Sequence, residues 1–130
     1  MPTIDKTELH LYYKSRRTIE IAVTDDNGDP VNLEATGTDF GILFARNKES
    51  SAVAATSHYL SADAHLVVDD TDNNVAVLTL EDEHYDDLIL APRIEPHWFN
   101  AWYKAPSEEG ELIGHGPVYV HHTVEPTWPE

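Results

Sequence analysis

Hydrophobic and polar residues alternate along residues 17–24, where Ile19, Ile21 and Val23 are separated by polar or small side chains. Side chains of a β-strand point alternately to its two faces, so this period of two predicts a strand with one buried face. The sequence Asp-Asn-Gly-Asp-Pro follows at residues 26–30. Glycine accepts a positive φ and proline cannot donate a ladder hydrogen bond, so we expect a sharp turn there.

The same alternation recurs along the rest of the chain, between segments rich in turn-forming residues. The acidic segment 81–88 is the one stretch that suits a short helical turn, because acidic residues favour a helix N-terminus. Further strands are predicted at residues 8–13, 40–45, 53–60 (an edge strand), 65–69, 75–80, 97–104 and 111–122. This pattern predicts an all-β chain that folds as an antiparallel β-sandwich of about seven strands, with one short helical turn near residues 81–88.

The length and the ends of the chain predict one domain with two short extensions. A chain of 130 residues is long enough for a single hydrophobic core. We expect an N-terminal arm at residues 1–6, the sandwich at 7–124 and a C-terminal tail at 125–130, in which Trp128 is an aromatic anchor. The N-terminus lacks the pattern of a signal peptide and no apolar stretch is long enough to span a bilayer, so we expect a soluble protein made in the cytoplasm.

The charge is strongly negative: 24 Asp and Glu residues stand against 8 Lys and Arg, a formal net charge of −16. Such a surface repels nucleic acid and anionic lipid, so neither is an expected partner. Two interpretations of the acidity remain, adaptation to very high salt and a local acidic face that binds cations or a basic partner. Because the acids are spread along the whole chain, the first is favoured.

The eight histidines do not fall at metal-binding spacings. His121 and His122 are adjacent, so in a strand they point to opposite faces. His115 and His121 are roughly 20 Å apart at the rise of a strand. The spacing therefore does not favour a histidine metal site, and the absence of cysteine excludes a thiolate site.

One acidic turn resembles the start of a calcium-binding loop. Asp70, Asp72 and Asn74 have the right spacing, but Val75 occupies the position where an EF-hand needs glycine. We interpret the segment as a polar turn. Asp69, Asp70 and Asp72 remain weak candidates for a loosely held cation.

No catalytic motif occurs in the sequence. It contains no Gly-x-Ser-x-Gly, no phosphate loop and no dinucleotide fingerprint. The paired carboxylates fall in predicted turns, where they are solvated. We expect a protein that is not an enzyme and uses no cofactor.

The aromatic strand at residues 97–104 is the best functional clue. If the face that contains Ala101 packs inward, Trp98 and Trp102 lie on the outer face of the sandwich; in the opposite orientation both would fill the core. Tryptophan is enriched in interface hot spots, and exposed tryptophans are costly unless something covers them. The candidate interface residues are Trp98, Trp102, Tyr119 and Trp128.

The order of these elements resembles a known domain family. A strand runs into Thr-Asp-Asp-Asn-Gly-Asp-Pro-Val-Asn-Leu at residues 24–33, and a glycine and a second strand follow. Later come the strand at 75–80, the acidic segment, the aromatic strand, a Glu-Gly turn and a closing strand. This arrangement is similar to the immunoglobulin-like domain of tailed-virus structural proteins, such as the N-terminal domain of baseplate upper proteins and related tail or head accessory proteins.

The resemblance implies an immunoglobulin-like β-sandwich in a virion, synthesised in the host cytoplasm. Its function would be structural. The tail or baseplate is the first expected location, and the head decoration or neck is the second. The expected partners are other virion proteins, with the chain present in many copies or as a homo-oligomer, and the acidity would suggest a virus of a halophilic host. The alternative is a carbohydrate-binding module on a fibre or receptor-binding structure, in which the tryptophans stack on sugar.

Overall fold

The computed structural model of the chain describes residues 2–45, 57–61, 64–81 and 96–123. Within these ranges the chain forms β-strands and no helix. The strands are β1 (Thr3–Ile4), β2 (Leu9–Tyr12), β3 (Arg17–Thr24), β4 (Asp39–Ala45), β5 (Ser57–Tyr59), β6 (Leu66–Val68), β7 (Val75–Leu80), β8 (His97–Lys104) and β9 (Gly110–His121). None of the described residues belongs to a helix that is long and apolar enough to cross a membrane.

The strands form two sheets. A four-stranded sheet has the order β1-β3-β7-β6, and a five-stranded sheet has the order β2-β9-β8-β4-β5. All pairs are antiparallel except β2 and β9, which run parallel. The predicted all-β sandwich is therefore confirmed.

The strand order is that of an immunoglobulin domain. When β2 and β5 are set aside, the other seven strands take the letters A to G in chain order. The four-stranded sheet then reads A-B-E-D and the three central strands of the other sheet read G-F-C, which are the two sheets of the constant-type immunoglobulin fold. Strands β2 and β5 extend the second sheet at its edges.

The start of the chain belongs to the four-stranded sheet. Residues 1–6 are predicted as an arm, but Thr3 and Ile4 pair with Thr24 and Val23 of β3. The side chain of Asp5 extends this pairing, because its Oδ1 accepts the backbone N–H of Ala22 at 2.9 Å. A two-residue strand is too short to show a period of two, which is why the alternation did not reveal it.

Two sequence predictions fall outside the described residues. Of the helical turn predicted near 81–88, the structure describes only Glu81, and the tail at 125–130 lies outside completely. The strands predicted at 65–69 and 75–80 are confirmed as β6 and β7, which pair antiparallel with Leu66 opposite Leu78.

The core lies between the two sheets and is built from the inward side of each strand. Ile21 and Val23 of β3 are completely buried, as the alternation predicts, and they pack in one cluster with Phe44 of β4 and Phe99 of β8. Burial of a side chain of this size stabilises the fold by about 1.5–3 kcal/mol. The core therefore fixes which side of each strand remains outside.

Candidate functional site

The orientation of β8 is decided by which of its residues are buried. Phe99 and Ala101 have no exposed surface, whereas Trp102 is 39% exposed. The aromatic strand thus packs with its Ala101 side inward, and Trp98 and Trp102 lie on the outer side of the five-stranded sheet. The opposite orientation, with both tryptophans in the core, is excluded.

Large apolar side chains cover the outer side of the five-stranded sheet. We call this surface the aromatic face and define it by seven outward residues of its five strands. They are Tyr12, Leu43, Tyr59, Trp98, Trp102, Leu112 and Tyr119. Among the described residues, the large hydrophobic side chains with substantial exposure are five of these seven and Val67 on the opposite sheet. The exposed apolar surface is therefore concentrated on one side of the sandwich, where Trp98, Trp102 and Tyr119 of the predicted interface residues lie together.

The described residues place few carboxylates on the aromatic face. By strand register, Asp39 is the single acidic residue at an outward position of the five strands, and its partner on the next strand is Lys104. Glu8, just before β2, also reaches this side of the sheet, where its carboxylate contacts His10. The acids instead cluster in turns, as in the segment 25–29 after β3 and the segment 69–72 after β6. In a chain with a net charge of −16, this separation sets the face apart from the acidic ends of the sandwich.

A cavity of about 320 Å³ opens on the aromatic face beside Trp102. The residues that line it come from β4, β5, β8 and the start of β9. They are Asp39, Phe40, Gly41, Leu43, Tyr59, Trp102, Tyr103, Lys104 and Gly110. Its volume is at the lower end of the range of small-molecule pockets.

A glycine shapes this cavity. A Cβ atom at Gly41 would lie 2.6 Å from Cδ1 of Tyr59, so the missing side chain is what lets the tyrosine ring lie against β4. The side chain of Tyr103 belongs to the core on the inward side of β8. Burial raises the pKa of its phenol, and the negative charges of Glu108 and Glu111 raise it further.

A second cluster lies on the same face, where β2 pairs with β9. Nδ1 of His10 is 2.9 Å from Nε2 of His121, and Nε2 of His10 donates to the Glu8 carboxylate at 2.7 Å. Tyr119 stacks on His10 with ring centres 5.0 Å apart, and Tyr12 stacks on His121 at 5.2 Å. The sequence did not predict this cluster, because it joins strands at opposite ends of the chain; only the β2–β9 pairing could have revealed it.

The acidic turn at 69–72 uses its first carboxylate to hold its own backbone. Oδ2 of Asp69 accepts the N–H groups of Thr71 and Asp72 at 3.1 and 3.0 Å. In the part of the chain that the structure describes, no three His, Cys, Asp or Glu residues are grouped so that they could hold a metal ion. The idea of a cation at Asp69, Asp70 and Asp72 thus gains no geometric support.

Trp128, the fourth predicted interface residue, lies outside the described residues.

Comparison with known proteins shows no family for this chain. No family model matches this chain, and no curated protein matches it. One similar chain belongs to the solved structure described as "Structural basis of T cell specificity and activation by the bacterial superantigen toxic shock syndrome toxin-1". It is 10% identical, the match covers 93% of this chain and 98% of that one, and the TM-score is 0.49. A likeness at this level supports no functional conclusion.

Proposed function

We propose that this protein is a non-enzymatic structural module that assembles with further copies of itself through the aromatic face. The observation that carries the proposal is the concentration of exposed aromatic side chains on an outer sheet surface where the described strands place one acidic residue, Asp39, with Glu8 beside the edge strand β2. Aromatic residues are enriched and charged residues depleted at the centres of protein interfaces. A face of this composition is typical of a surface that another protein covers.

A second copy is the occupant that the charges of the face favour. In a two-fold contact the same surface meets itself, so every group must find its complement on the same patch. Asp39 and Lys104 are neighbours across β4 and β8, so the carboxylate of one copy can lie opposite the ammonium of the other. The acidic turns lie outside such a contact, where solvent and salt separate them.

The resemblance of the chain to immunoglobulin-like domains of tailed-virus structural proteins supplies the setting of the proposal. We place the module in a virion, with the tail or baseplate as the first choice and the head decoration or neck as the second. Its partners there are other virion proteins, and it is synthesised in the host cytoplasm. The strongly acidic surface fits assembly at high salt, because ions screen the repulsion between copies.

The test is the assembly state of the wild type, Trp102→Ser and Val67→Ser by sedimentation velocity in multimolar KCl. Val67 is an exposed apolar residue on the opposite sheet, so its variant is the matched control. We expect the wild type and Val67→Ser to associate equally, and Trp102→Ser to associate at least tenfold more weakly, as for an interface hot spot. A wild type that stays monomeric at all salt and protein concentrations, or an equal loss in both variants, contradicts the proposal.

The cavity beside Trp102 favours a second candidate, a carbohydrate-binding module. The Trp102 and Tyr59 rings can stack on a sugar ring, and Asp39 and Lys104 can hydrogen-bond its hydroxyls. Titration of a monomeric sample with a panel of oligosaccharides, followed by NMR, tests this function. Shifts confined to residues around the cavity and lost in Trp102→Ser would support sugar binding, and unchanged spectra would exclude it for that panel.

A further inference from the structure

Two imidazole rings on neighbouring strands aim nitrogen atoms at each other. His10 on β2 and His121 on β9 are diagonal neighbours, because His10 pairs with Tyr119 and Tyr12 pairs with His121. Their rings are 7° from parallel, with centres 5.2 Å apart and the facing nitrogens 2.9 Å apart. The distance between the ring centres is close to the sum of the N···N distance and the distance from each ring centre to its own nitrogen. The two rings therefore lie edge to edge in nearly one plane. One proton shared between two lone pairs joins them.

Three neighbours contact the pair. Glu8 accepts the Nε2–H of His10, which leaves a lone pair on Nδ1 of that ring, facing Nε2 of His121. Tyr119 stacks on His10, and Tyr12 stacks on His121. A carboxylate on the far nitrogen of an imidazole is the usual partner of a histidine that ligates a metal, because it fixes the tautomer and raises the basicity of the other nitrogen.

We infer that His10 Nδ1 and His121 Nε2 are the protein ligands of a surface site for a divalent transition metal. Imidazole suits copper, nickel and zinc, whereas calcium and magnesium prefer oxygen ligands. In a copy whose aromatic face is uncovered, water fills the remaining positions, since the described residues provide two protein ligands and the His10 side chain is 44% exposed. Glu8 is a positioning residue, because its carboxylate holds the ring and does not face the shared nitrogen gap.

The spacing of the nitrogens favours copper or nickel over zinc. At metal–nitrogen bonds of about 2.0–2.1 Å, a gap of 2.9 Å subtends an angle of about 90° at the ion. That angle is found between neighbouring ligands of the square or tetragonal sites of Cu²⁺ and Ni²⁺, whereas tetrahedral Zn²⁺ requires a wider gap. On binding, each exposed ring turns so that its lone pair points to the ion, and His121 carries its proton on Nδ1.

The experiment titrates Cu²⁺ alone into the wild type and into His10→Gln, His121→Gln and His122→Gln, with calorimetry and electron paramagnetic resonance as readouts. His122 follows His121 directly and is exposed, so its variant controls for non-specific binding to surface histidines. We expect one equivalent to bind tightly with two nitrogen ligands. The affinity should fall at least tenfold in His10→Gln and His121→Gln and stay unchanged in His122→Gln.

One further variant sharpens the test. Glu8→Gln should weaken binding about tenfold without changing the number of nitrogen ligands. A wild type that binds Cu²⁺ no more tightly than His121→Gln, or a His122→Gln variant that loses as much affinity, overturns the inference.

Discussion

At the scale of single residues, the turn between β8 and β9 contains a side chain in an unfavourable backbone conformation. Ser107 has a φ of 63°, and the N–H of Glu108 donates to the carbonyl of Ala105 at 3.1 Å. Residues 105–108 therefore form a type II turn, which is defined by a hydrogen bond from the fourth residue to the first and a positive φ at the third. Pro106 occupies the second position, which proline prefers, and Ser107 occupies the third position, which glycine prefers. The left-handed conformation costs a non-glycine residue about 1–2 kcal/mol.

Ser107→Gly should therefore stabilise the protein. We expect the free energy of unfolding to rise by about 0.5–1 kcal/mol, since the relief of strain exceeds the extra entropy that glycine has in the unfolded chain. Urea unfolding followed by circular dichroism measures the change. Ser107→Ala is the control because it keeps the Cβ atom, and a glycine variant no more stable than the alanine variant would show that the turn is not strained.

At the scale of elements, β9 depends on a close approach by the segment that precedes β2. A Cβ atom added to Gly116 would lie only 2.0 Å from the carbonyl oxygen of Thr7. Because the clash is with backbone, no side-chain rotation relieves it. The absence of a side chain at Gly116 is thus a condition for β2 to lie along β9.

Gly116→Ala should consequently destabilise the protein by about 1–3 kcal/mol, the usual cost of overpacking. Gly110→Ala is the matched control, because it lies in the same strand and its Cβ would have no neighbour nearer than 3.9 Å. Thermal unfolding of both variants gives the comparison. Equal melting temperatures for the two variants would contradict this role of Gly116.

The alternation of hydrophobic and polar residues predicts features that depend only on neighbouring residues in the sequence. The inward side of β3 follows from a period of two. For β8 the alternation left two orientations open, and the burial of Ala101 in the structure decides for the one in which Trp102 faces outward. The parallel pairing of β2 with β9 could not be predicted either, because no local pattern states which strand an edge strand will join. For the same reason the pair His10–His121 and the contact of Tyr59 with Gly41 required the three-dimensional structure.

At the scale of the whole molecule, charge is segregated by position in the fold. Among the described residues, the five strands place one acidic residue at an outward position, whereas neighbouring acids such as Asp25, Asp26 and Asp29 share one turn. Like charges this close destabilise the compact state through mutual repulsion. Composition predicted the acidity and the local pattern predicted paired carboxylates in turns; the structure shows such acids of the described residues at 25–29 and 69–72.

The free energy of unfolding should rise with salt for this reason. The screening length falls from about 10 Å at 0.1 M to about 3 Å at 1 M, so we expect the largest gain over that interval and a melting temperature several degrees higher. Scanning calorimetry in KCl and NaCl measures the effect. Trp102→Ser serves as a control that separates screening from self-association, and a melting temperature independent of salt would contradict this account of the acidity.

The parallel pair of β2 and β9 also determines how the domain bears mechanical load. When tension pulls the chain before β2 and the chain after β9 apart, the two strands are drawn past each other along their length. Every hydrogen bond from Leu9–Val118 to Tyr12–His121 is then loaded at the same moment, instead of opening one after another as in a peeled hairpin. The two-residue β1 can detach first, and the β2–β9 pair then acts as a shear clamp.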